Sequence, residues 1–148
     1  MCAGPCGLTR ETTLPNTTLI KNPRTLIAAA TSNAAAATTN GTPLDLRTRS
    51  GGVLTIKLTN GGTGPTIQAV ANVLIAHDGG TTPAGGSAGV VWKTIWSFGG
   101  GTAANAITEQ SIAIDAAVMH IHVQVTGNTA QAVVCEAFLS ELTSFDTV

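Results

Sequence analysis

Tyrosine is absent from this 148-residue chain, and all aromatic residues together make up 3 % of it. Charged residues make up 10 %, against roughly 25 % in a typical soluble domain. A free monomer normally stays soluble behind a charged, patch-free surface. This chain has too few charges to build one, so much of its surface is expected to face other protein. The net charge is −1, and no basic stripe with interleaved aromatics is present. Direct nucleic-acid binding is therefore not expected. No stretch approaches the ~18 consecutive apolar residues of a membrane-spanning helix. Met1 to Gly7 has neither a basic start nor an apolar run behind it, so no secretion leader is expected. Three cysteines, Cys2, Cys6 and Cys135, are an odd set and define no disulfide framework. Cys2 and Cys6 are close enough for a disulfide or half a metal site, and Cys135 reads as a small buried hydrophobe. The carboxylates are few and scattered, with no pair spaced for acid–base catalysis.

What fills the chain is threonine, alanine and glycine, arranged in strand-like segments. Residues 1–16 have neither helical nor strand period and read as an irregular arm. Residues 17–148 read as one β domain, with a first strand over Thr25–Thr31. At 53–59, Leu54, Ile56 and Leu58 face one way while Thr55, Lys57 and Thr59 face the other, the period of a half-buried strand. Residues 66–77 place Ile67, Ala69, Ala71, Val73 and Ile75 on one face. Residues 90–98 place Trp92, Trp96 and Phe98 together. Further strands are predicted at 107–115, 117–126 and 132–142. The last is apolar on both sides: Val133, Cys135, Ala137 and Leu139 on one, Val134, Phe138 and Leu142 on the other. Such a strand faces either a core and an interface, or a cover supplied by its own chain. About seven strands separated by turn signals, with no helix, predict an all-β antiparallel β-sandwich, jelly-roll or Ig-like.

The charges are unevenly placed. Arg10, Lys21, Arg24, Arg47, Arg49 and Lys57 against Glu11 and Asp45 give +4. Lys93 against Asp78, Glu109, Asp115, Glu136, Glu141 and Asp146 gives −5. The two halves either neutralise each other within the fold or pack basic face to acidic face with a neighbour.

Few motifs carry chemistry. Gly85-Gly86-Ser87-Ala88-Gly89 has the letters of a nucleophile elbow, but no helix follows it and the strained strand-to-helix turn is missing. His120 and His122 share one strand face and are the metal candidates, two ligands short of a closed zinc site; His77, Asp78, Cys2 or Cys6 could supply others, but no spacing requires it. No cofactor and no catalytic residue is assigned. Arg47, Arg49, Trp92, Trp96 and Phe138 are the candidate interface residues. Arginines two apart suit an interface salt bridge, and tryptophans serve as anchors. A tryptophan pair on one face also leaves open a carbohydrate-stacking module.

The segment from Ala117 through His120-Ile121-His122 and Gly127-Asn128-Thr129 to Phe138 reads as a closing hairpin. Behind an irregular arm and a Thr/Ala/Gly-rich domain, it resembles small tailed-bacteriophage virion proteins of the capsid decoration, or cement, class. The resemblance is one of texture over residues 17–148. It implies a non-enzymatic protein, made in the host cytoplasm and placed on the capsid surface of the virion. It also implies clamping of neighbouring copies of the major capsid protein or other virion proteins, and a homo-oligomer, favoured as a trimer. A neck, tail or baseplate subunit is the alternative within the same class.

Overall fold

The computed structural model describes residues 17–77 and 91–147. The expected arm, Cys2 and Cys6, and the Ser87 motif lie outside the described residues. Nine strands run in chain order: β1 (Thr17–Asn33), β2 (Thr39–Asn40), β3 (Leu44–Asp45), β4 (Gly52–Asn60), β5 (Val70–Ala76), β6 (Lys93–Gly99), β7 (Ile107–Ile114), β8 (His120–Thr126) and β9 (Val133–Thr147). All their pairings are antiparallel. The first sheet has the order β1-β9-β4-β7, and the second β2-β8-β5-β6 with β3 also on β8. With β2 and β3 sharing one position, this is the double Greek-key order of a jelly roll. The antiparallel sandwich expected from the sequence is therefore present, in its jelly-roll form.

Alternation explains the core. Leu54, Ile56 and Leu58 of β4 and Val133, Cys135, Ala137 and Leu139 of β9 point into the sandwich and are fully buried. Ala71 and Val73 of β5 and Ile121, Val123 and Val125 of β8 meet them from the second sheet, equally buried. Each large side chain so buried contributes about 1.5–3 kcal/mol. Burial pushes the Cys135 thiol up to about 11, so it acts here as an apolar filler.

Three sequence expectations change. Segment 117–138 is not a hairpin, because β8 lies in the second sheet and β9 in the first. Alternation reports which face a residue takes, not which strand it pairs with. Ile67 precedes β5 and is exposed, since Thr66 and Ile67 bond to Thr129 outside the ladder. Trp92 and Trp96 do not share a face. Trp96 pairs with Val73 and Thr94 with Leu74, a register shift that skips Ile95. Trp96 therefore turns toward the core beside Phe98, while Trp92 lies against His122 on the opposite face.

Two asparagines pin the corner where the chain leaves β8. Asn33 and Asn128 are both fully buried. The Asn33 side-chain amide donates to the Asn128 side-chain oxygen. Asn128 Nδ2 in turn donates to the carbonyls of Asn33 (3.1 Å), Ala34 (3.2 Å) and Gln131 (2.8 Å). Thr39 Oγ1 donates to Asn33 Oδ1 at 2.7 Å. At the opposite side of this corner Gly41 N–H donates to Val123 O and Thr42 N–H to Leu26 O, so one short segment bonds to both sheets. A Cβ on Gly41 would lie 2.8 Å from Leu26 O, and only glycine fits there.

Candidate interaction surface

An antiparallel sheet covered on one face usually turns charged and polar residues to water on the other. The first sheet departs from this. Its register sets four outward rows across β7, β4 and β9: Ile107–Thr59–Val134, Glu109–Lys57–Glu136, Ser111–Thr55–Phe138 and Ala113–Val53–Ser140. Only the second row is charged. Lys57 stands between two glutamates and is ion-paired to Glu136, whose hydrogen bond holds the ammonium pKa above its usual value. Thr55 and Ser111 share a hydrogen bond of 2.7 Å across the strands. Ile107 (66 %), Val53 (49 %), Val134 (38 %) and Phe138 (37 %) are exposed apolar side chains on this face.

Two shallow depressions of ≈ 310 Å³ flank these rows. One is bounded by Leu19, Lys21, Val53 and Leu142 at the start of β4. The other lies beneath Ala29 and Ala30, where β1 bulges away from β9 over Lys57 and Val134. β9 is thus central in its sheet, yet the described residues leave its outward face open. Its apolar outward residues Val134 and Phe138 are exposed.

The other sequence candidates lie elsewhere. Arg47 forms a forked pair with Asp45, its Nη2 donating to Oδ2 at 2.6 Å and its Nε to Oδ1 at 3.0 Å. These bonds hold the Asp45 carboxyl down to about 2. Arg49 lies 3.7 Å from the buried carboxylate of Glu141. With Lys57–Glu136, this pair joins the basic half of the chain to the acidic half inside one fold. Phe138 alone of the five interface candidates lies on the open face. Val53, Ile107 and Val134 complete it, and their signal is an apolar residue at the polar parity of an alternating strand.

His120 and His122 take the outward side of the second sheet, as alternation requires, but both are buried. None of their ring nitrogens has a hydrogen-bond partner among the described groups, nor does Trp92 Nε1. Asp45 Oδ1 is 3.9 Å from His120 Nε2. Among the described residues no three His, Cys, Asp or Glu side chains cluster as a metal site. Burial pushes the His122 pKa below its usual value, while the nearby Gly41 backbone acts the other way without hydrogen-bonding the ring. A histidine kept neutral in the fold is protonated sooner in the unfolded chain. Its contribution to stability is complete above about pH 6.5 and falls as pH drops through the folded-state value. The melting temperature is expected to be lower at pH 5 than at pH 7.5. The part of that difference due to this ring disappears in His122→Leu. Thermal melts of both proteins at both pH values check this, and an equal drop in the variant would remove the ring as its source.

No protein-family model and no curated protein matches the chain. Among solved structures it is similar to a chain in the structure of infectious bursal disease virus, Gx strain, with TM-score 0.50 and 11 % identity over 84 % of this chain. The match spans 32 % of that longer chain. It is also similar to the K3 cleaved adhesin domain of Lys-gingipain from Porphyromonas gingivalis W83, with TM-score 0.44 and 12 % identity, covering 74 % of this chain and 72 % of that one. At these identities the likeness concerns the fold.

Proposed function

We propose that this protein is a non-enzymatic structural subunit of a virus particle, of the capsid decoration class, which clamps neighbouring shell proteins through the outward face of its first sheet. The observation that carries the reading is that face: three of its four rows are uncharged, with Ile107, Val53, Val134 and Phe138 open to solvent. Open apolar area rimmed by polar residues marks protein contact sites. The jelly-roll order supports the reading, since virus capsid domains use this architecture, although a fold alone does not assign a function. A carbohydrate platform built on two coplanar tryptophans has less support, because the register shift in β6 sends Trp92 and Trp96 to opposite faces.

The test is co-sedimentation with capsid shells. The native protein is expected to pellet with them. Phe138→Glu, a change at a part-exposed position, is expected to weaken attachment at least tenfold while the far-UV spectrum stays the same. Unchanged attachment by Phe138→Glu would show that the clamp uses another surface. Failure of the native protein to bind any shell or particle fraction would remove the virion role.

A further inference from the structure

A sheet edge is a ready template for another strand, and natural proteins obstruct such edges with proline, lysine, bulges or very short strands. Three of the four edges described here are obstructed. β1 carries Lys21, Pro23 and Arg24 and has three register shifts against β9. β6 begins at Lys93 and contains the shift that skips Ile95. β2 and β3 have two residues each.

β7 has none of these devices. It runs for eight residues, Ile107–Ile114, in unbroken register with β4. It contains no proline, lysine or arginine, and Glu109 is its single charge. Among the described residues it pairs with β4 alone. Ile107, Glu109, Gln110, Ser111 and Ala113 are all exposed.

The geometry points to a homodimer in which β7 of one copy pairs antiparallel with β7 of a second copy, about a two-fold axis at Gln110. The strand is complementary to itself in this register. Glu109 lies opposite Ser111, Ile107 opposite Ala113 and Thr108 opposite Ile112, and the two Gln110 amides meet on the axis. No like charges face each other, and like charges directly opposite would oppose pairing. Every directly opposed pair has the same parity, so each outward residue stays outward across the seam. The interface is isologous and closes at two copies. The resemblance to decoration proteins implies a trimer, whereas this edge has the symmetry of a dimer. The result would be one eight-stranded sheet, β1-β9-β4-β7 continued by β7-β4-β9-β1, about 38 Å wide at roughly 4.8 Å per strand. Its outward face would join two copies of the open surface. The pairing stands independently of the virion reading, since it needs no shell.

The experiment is light scattering coupled to size exclusion on the full chain at 5 and 100 µM, with two variants. The native protein is expected at twice 14.8 kDa at the higher concentration. Gln110→Lys places two ammonium groups on the axis at an exposed position. It is expected to raise the dissociation constant at least tenfold with an unchanged melting temperature. Gln110→Cys, in a chain with Cys2 and Cys6 changed to serine, is expected to form a disulfide between copies under mild oxidation, because opposed Cα atoms at the axis are about 4.5–5.5 Å apart. A monomer at 100 µM overturns the inference, as does a trimer. A dimer indifferent to Gln110→Lys and not cross-linked through Gln110→Cys overturns it as well.

Discussion

Replacing Asn128 by alanine is expected to lower the unfolding free energy by about 3 kcal/mol, the largest effect of any single polar substitution described here. The side chain is fully buried and makes four hydrogen bonds, one of them accepted from Asn33. Alanine would remove all four bonds: the Asn33 and Gln131 carbonyls would lose this donor, while Ala34 O keeps the Ala37 N–H and the Asn33 amide keeps Ala37 O at 3.4 Å. Each buried group left unpaired costs about 1–3 kcal/mol, and water entering the gap offsets part of the total. Native domains hold only about 5–15 kcal/mol in all, so the loss is a large fraction of the fold's stability. Urea denaturation of both proteins checks the figure. A loss under about 1 kcal/mol would mean that the corner is hydrated in solution and that the Asn33–Asn128 pair does not hold the two turns together.

Ile121→Ala is expected to cost about 3–4 kcal/mol, within the usual range for a large aliphatic side chain removed from a core. Ile121 lies in β8 between β3 and β5, with no exposed surface. Well-packed sheets on both sides limit collapse into the cavity, and the cost rises with the volume left open. Val53→Thr on the outward face is the matched control. Val53 is half exposed, and a near-isosteric change there is expected to stay within about 0.5 kcal/mol. The pair of values contrasts an inward position of the second sheet with an outward position of the first. Equal losses would contradict the buried and exposed assignment of these two positions.

The sequence carries the faces of the strands well and their partners poorly. Leu54, Ile56 and Leu58 announce the buried side of β4 by alternation, and Val133 to Leu139 do the same for β9. Alternation is a local property of the backbone pleat. Pairing is not local, and nothing in Gly127-Asn128-Thr129 distinguishes a hairpin turn from a step between sheets. The register shift at Ile95 is equally silent: one skipped residue reverses the face of everything before it, which is why Trp92 and Trp96 separate. Half of the candidate surface was legible, in Phe138 and Val134 opposite the buried side of their strand. The rest was not, because Val53 and Ile107 sit at strand ends. There a single apolar residue at the wrong parity looks incidental until β4, β7 and β9 are laid side by side. The two histidines share the predicted strand face, but their burial depends on distant segments packing over the sheet.

The order β1-β9-β4-β7 also governs how the protein is made. The two central strands of the first sheet are β4 and β9, and β9 is the last to leave the ribosome. Until then β1 and β4 have no common neighbour, and the edge of β4 that pairs with β9 stays unpaired in the nascent chain. The first sheet therefore cannot close until β9 has emerged, by long-range pairing of the slow kind. A chain stopped short of residue 133 would retain every strand of the second sheet and still lack the piece that closes the first. Ribosome-bound intermediates of this protein are expected to be clients of holding chaperones, and truncated products to be cleared rather than accumulated.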